Sequence, residues 1–136
     1  MRAIINFTIL NFTIFFGFLG TARAEDRYLF ITQFENPVSF GAYKTLVANI
    51  VKADPWLLDR EKMLGPPNKL ISLNNKPFEF AVACNKDECK ANRILLLFSG
   101  DGSQVWGLAR KHGIDTYLGN PEGAVRVALD AAKFNY

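Results

Sequence analysis

Residues 69–110 read KLISLNNKPFEFAVACNKDECKANRILLLFSGDGSQVWGLAR, and the pattern of this stretch decides the fold. Lys69 to Leu73 has the length of a strand and Asn74-Asn75-Lys76 breaks it. Phe78, Phe80, Val82 and Cys84 then alternate with Glu79, Ala81 and Ala83, the period-two pattern of a β-hairpin whose second strand ends at the first cysteine. Arg93 to Phe98 is a continuous apolar run of central-strand length, Gly100-Asp101-Gly102 reads as a turn, and Gln104 to Arg110 returns as another strand. Neighbours joined by such short connections pair antiparallel. A further short strand is expected near Tyr117.

Helical patterns flank this block. Asn36-Pro37 combines a capping side chain with a proline suited to the first turn, and Tyr43, Leu46, Val47, Ile50 and Val51 follow at helical spacing. Their common face belongs on the core, with Lys44, Asn49 and Lys52 outward. The helix should end before Asp54-Pro55, because proline excludes its predecessor from the α region. Trp56-Leu57-Leu58 reads as an apolar plug, and Gly65-Pro66-Pro67-Asn68 as a turn or extended loop. Asn120-Pro121-Glu122 repeats the cap-plus-proline start, after which Val125, Ala128, Leu129 and Ala132 can line the buried side of a second helix. The fold class is α+β: an antiparallel sheet with the helices packed on one face.

The beginning of the chain differs in kind. Met1-Arg2 is positive, Ala3 to Leu19 is apolar apart from Asn6, Thr8, Asn11, Thr13 and Gly17, and Ala22-Arg23-Ala24 is a small-x-small cleavage site. Residues 1–24 therefore read as a secretory signal peptide cut after Ala24, in preference to a retained membrane anchor, and residues 25–136 as a single domain outside the cytoplasm. The formal net charge of +3 belongs mainly to Arg2 and Arg23 of that leader. What remains is nearly neutral, without the basic stripe of a nucleic-acid binder.

Cys84 and Cys89 are the two cysteines, and an even count in an exported chain favours a disulfide. So short a ring contributes roughly 2 kcal/mol to the fold. Its larger effect is to hold Asn85, Lys86, Asp87 and Glu88 in one conformation, which lowers the ordering cost on binding. These four residues are the candidate target-binding loop; a turn staple with a solvated tip is the plainer reading. C-x-x-x-x-C lacks the redox spacing, and two cysteines with one histidine fall short of a structural zinc, so no metal or cofactor is expected. His112 lacks an activated Ser or Cys partner and reads as a turn residue. Asp54 and Asp59 flank Trp56, but acids beside a proline are commonly caps. Gly100-Asp101-Gly102-Ser103 lacks the P-loop lysine and fits a hairpin turn. Trp56 and Trp106 read as core, and no catalytic set stands out.

The order and spacing of Pro55-Trp56-Leu57, Ala83-Cys84 with Cys89, Arg93-Ile94, Gly107-Leu108 and the ending Phe134-Asn135-Tyr136 resemble the inhibitor of vertebrate lysozyme family, over most of residues 25–136. The resemblance implies a periplasmic, non-enzymatic and often dimeric protein. It also implies an antiparallel sheet with helices on one side, and a disulfide-closed loop that enters the active-site cleft of C-type lysozyme and so protects peptidoglycan. The family loop is Cys-Lys-Pro-His-Asp-Cys, and its histidine meets the two catalytic carboxylates of the target. Here Asp87 stands at the histidine position and Glu88 at the aspartate position. Asp87 brings like charge to a glycosidase's carboxylate pair, and Lys86, with Asn85 as a hydrogen-bond donor, is the residue expected to take the complementary role. Three partner readings follow: C-type lysozyme, the cell's own lytic transglycosylases with a single catalytic acid, or an envelope-binding role without inhibition.

Overall fold

Asn36 starts the first helix as its spacing predicts: its Oδ1 accepts the Val38 and Ser39 amides at 3.0 and 3.3 Å, and Pro37 occupies the first turn. The computed structural model describes residues 35–135, so the leader, the cleavage site after Ala24 and Tyr136 lie outside the described residues. Helix α1 (Pro37–Val47) is shorter than expected. The Val47 carbonyl takes the amides of both Ile50 and Val51 at 2.9 Å, and the chain continues in turns to Ala53. Two 3-10 turns, Pro55–Leu58 and Arg60–Lys62, lead into the sheet.

The strands are β1 (Met63–Leu64), β2 (Lys69–Leu73), β3 (Lys76–Asn85), β4 (Asn92–Ser99), β5 (Val105–Lys111) and β6 (Ile114–Leu118). They run in the order β1-β3-β4-β5-β6, every pairing is antiparallel, and β2 pairs with the other half of the β3 edge that β1 uses. Asn74 and Asn75, with φ of 52° and 64°, make the two-residue hairpin between β2 and β3. His112 and Gly113, at 51° and 83°, do the same between β5 and β6. The β4–β5 connection is a hairpin turn built on Asp101, whose Oδ1 accepts the Ser99 and Ser103 hydroxyls and the Ser103 amide. Those bonds, the Ser103 amide foremost, hold its carboxyl down at about 2.

Helix α2 (Gly123–Ala132) begins three residues after Asn120, which sits in the left-handed region at φ 53° and does not cap it. The larger correction concerns the layers. Ala81, Ala83, Ile94, Leu96 and Phe98 pack with Tyr43 and Val47 of α1, while their alternating neighbours Phe80, Val82, Leu95 and Leu97 pack with Leu129 of α2. Successive side chains of a strand point to opposite faces, so the helices cover opposite faces and not one. Ile94 to Phe98 are all 0–1% exposed, and a strand buried on both sides must be covered on both. The α+β class and the antiparallel sheet stand as expected.

Ion pairs secure α2. Arg110 binds Asp115 through two bonds of 2.7 and 3.1 Å, Lys133 reaches Asp115 at 3.4 Å, and the Tyr117 hydroxyl donates to Asp130. The Arg110 guanidinium holds the Asp115 carboxyl below the usual carboxylate range, and the Tyr117 hydroxyl does the same for Asp130. Both acids are more acidic folded than unfolded. Their stabilisation is therefore complete above the unfolded carboxylate pKa near ~4 and is lost as pH falls through the lower folded values. Thermal melts from pH 6 to 2 should show the parent losing stability below about pH 4. Asp115→Asn should be less stable at pH 7 and flatter across that window; an unchanged acid slope would refute the assignment.

Candidate functional site

Cys84 near the end of β3 is bonded to Cys89, with a Cα–Cα distance of 4.8 Å. Cys84 is buried in the sheet, Asn85 is half-buried, and Lys86, Asp87, Glu88 and Cys89 are exposed. The four expected residues therefore form a rigid base and a projecting tip. Two bonds shape the tip itself: Asn85 Oδ1 accepts the Asp87 amide at 3.1 Å and the Asn85 carbonyl accepts the Glu88 amide at 2.9 Å. On the return, the Glu88 carbonyl takes the amides of Ala91 and Asn92 at 3.0 and 2.9 Å.

The 3-10 turn Arg60–Lys62 buttresses one flank. The Lys86 amide donates to the Lys62 carbonyl at 2.8 Å, which continues the β1–β3 ladder one step past Asn85. Lys62 Nζ lies 3.5 Å from Asp87 Oδ2, and Lys86 Nζ lies 3.4 Å from the Glu61 carbonyl. Both contacts are exposed, so each contributes little to stability. Their consequence is electrostatic: Lys62, absent from the sequence-based site, sits against the Asp87 carboxylate.

The loop and this turn border a cleft of about 480 Å³ in which Asp54, Asp59, Lys62, Asp87, Lys111 and His112 meet, with Trp56 in its wall. Residues read singly from the sequence thus share one surface with the loop. Asp59 is a cap, accepting the Glu61 amide at 3.1 Å. Asp54 is not: its Oδ1 binds Lys111 Nζ at 2.9 Å and Asn92 Nδ2 at 3.3 Å, tying the Pro55 turn to the strands beneath the loop. His112 is exposed in the β5–β6 turn and its amide donates to Ala91, at the loop's exit, at 2.7 Å. Trp56 is 6% exposed and belongs to the α1 core, as its residue type suggested. Among the described residues no group of three or more His, Cys, Asp or Glu side chains is arranged to hold a metal ion.

Because backbone bonds as well as the disulfide shape the tip, a Cys84→Ser, Cys89→Ser protein should still fold. It should be less stable in urea by roughly 2 kcal/mol. Failure to fold, or a loss well above that, would mean the bridge holds the sheet itself.

No family model matches the chain. It is similar to a protein of Pseudomonas aeruginosa described as uncharacterized. The two are 26% identical over 104 residues, which cover 65% of this chain and 65% of that protein's length. The chain thus spans just under two-thirds of that relative.

Proposed function

We propose that the protein is a periplasmic inhibitor of lysozyme-like muramidases that acts by inserting the Cys84–Cys89 loop into the target's cleft. The observation that carries this reading is the projecting tip, Lys86-Asp87-Glu88, exposed yet held by a disulfide at its base and by backbone bonds on both arms. Most charged turns are simply solvated; a covalently closed one has already given up the freedom that a binding loop would otherwise lose. Inhibition follows from occupancy, so the protein itself releases no fragments from peptidoglycan.

Charge decides which target. Two carboxylates in a muramidase cleft repel Asp87, and Lys62 offsets part of that repulsion from the base of the loop. Lys86 supplies the cation the cleft favours. The acidic pair Asp87 and Glu88 also supports a second target, a lytic transglycosylase, whose single catalytic acid opposes the tip less. The test is to titrate the purified, oxidised protein into cell-wall lysis assays run with a C-type lysozyme and with a bacterial lytic transglycosylase. Inhibition of the first supports the principal reading and inhibition of the second alone moves it to an internal target. With neither inhibited, the inhibitor function is withdrawn.

A further inference from the structure

Between α1 and the start of β5 the surface opens into a second cleft, of about 660 Å³, closed at one side by Gly119 after β6. Among the described residues none that lines it is charged, although charged residues make up 21% of the chain. Its polar groups are all neutral: the hydroxyls of Thr45 and Ser103 and the carboxamides of Asn49 and Gln104, four exposed side chains. Both hydroxyls donate within the protein, Thr45 to the Gly41 carbonyl at 3.1 Å and Ser103 to Asp101 Oδ1 at 2.7 Å. Neither carboxamide side chain is bonded by a described residue, so each keeps two donors and an acceptor for a ligand.

Trp106, half-buried on β5, shares this wall. Its indole is closely packed: the Phe78 ring lies 6.2 Å away, tilted by 54°, and a Cβ added at Gly119 would sit 3.5 Å from Trp106 Cδ1. The same indole, with Ser103 and Gln104, walls a neighbouring cleft of about 540 Å³ that continues toward Phe78 and Lys76. The two spaces together have the length for an oligomer.

We infer that this paired cleft binds a neutral glycan strand, with a sugar ring against Trp106 and its hydroxyls bonded to Asn49 and Gln104. A pyranose has an apolar C–H face to set on an indole, and hydroxyls that both donate and accept, as the carboxamides do. An anionic polymer needs cations that this wall lacks, and a lipid chain would strip water from the carboxamides without replacing its bonds. Phe78 pairs with Ser99 and Cys84 with Arg93, so the β4–β5 turn beside the glycan stands at the end of the sheet away from the disulfide loop. Glycan binding therefore leaves that loop free and does not rest on the inhibitor reading.

The test is to titrate chitotetraose into the purified, oxidised protein labelled with ¹⁵N-tryptophan. The Trp106 indole N–H resonance should move saturably, while that of Trp56, 6% exposed in the α1 core, stays in place. Cellotetraose separates the sources: a response to chitotetraose alone marks an N-acetylated glycan, and a response to cellotetraose marks neutral glycans more widely. Tetra-alanine, a neutral extended peptide, should produce no saturable shift. Replacing Asn49 and Gln104 together by alanine should weaken sugar binding at least about tenfold, as loss of two hydrogen bonds implies, with the melting temperature unchanged because both sites are exposed. Absence of a saturable shift with either sugar, a response to the peptide as strong as to the sugars, or parent-like binding by the double variant overturns the inference.

Discussion

Replacing Gly65 by alanine is expected to lower stability by about 3 kcal/mol or more, at or above the upper end of overpacking costs, and to lower the melting temperature by more than about 10 °C. Gly65 follows β1, where the chain leaves the β3 edge before rejoining it as β2. A Cβ at this position would lie 2.1 Å from the Val82 carbonyl oxygen and 3.3 Å from the Ala83 Cα. That oxygen belongs to the backbone of β3, which is fixed on its far side by its ladder with β4, so it has nowhere to retreat. The strain would fall on β1, and with it on Lys62, the turn that buttresses the loop. Gly41→Ala is the control: it sits in α1 with nothing within 4 Å of an added Cβ, and alanine is the better helix former. Thermal melts of the two variants should move in opposite directions. A Gly65→Ala protein that melts within about 2 °C of the parent would show that β1 yields easily.

The sheet was legible because its signals are local. Asn74-Asn75 sits between two apolar segments, Gly100-Asp101-Gly102 between two others, and the alternation from Phe78 to Cys84 sets which side chains share a face. The two-sided burial of β4 was also written in the sequence, as the unbroken run from Ile94 to Phe98, yet that run says nothing about which element covers which side. Tyr43 and Val47 could have packed on either face; the structure puts them over Ala81, Ala83, Ile94 and Leu96. The loop residues were legible for the same local reason, being bracketed by the two cysteines. Their surroundings were not. Lys62 reaches Asp87 because Met63 pairs with Asn85, a register carried by a two-residue strand that leaves no periodic trace. Asp54 meets Lys111, and His112 meets Ala91, across separations that only the assembled sheet closes. Arg93 showed itself in the sequence as the start of a strand, and the burial of its Nε without an acceptor emerges only in the assembled sheet.

On the proposed inhibitor reading, Lys86→Ala is expected to weaken inhibition of a C-type lysozyme by roughly 30-fold or more, since truncating one partner of a charge pair buried at an interface costs about 2–5 kcal/mol. A loop with aspartate at position 87 cannot offer the target's carboxylate pair an imidazole, so a cation must come from a neighbour, and Lys86 is the one on the tip itself. Lys62 is engaged with Asp87 at the base, and Lys90 lies beyond the disulfide. The Lys86 ammonium rests 3.4 Å from the Glu61 carbonyl, a long contact on an exposed side chain, and leaves it at little cost when a carboxylate is within reach. Because that contact is weak, the substitution should leave the melting temperature within the small range usual for surface changes, which separates loss of binding from loss of fold. Lys90→Ala should change inhibition by less than about threefold, as expected of a charge at the rim. Asp87→His, which removes the repelling charge, should tighten it. If Lys86→Ala inhibits as strongly as the parent while Asp87→His has no effect, the cleft does not sense the charges of this tip. The partner must then be sought among proteins without a pair of catalytic carboxylates.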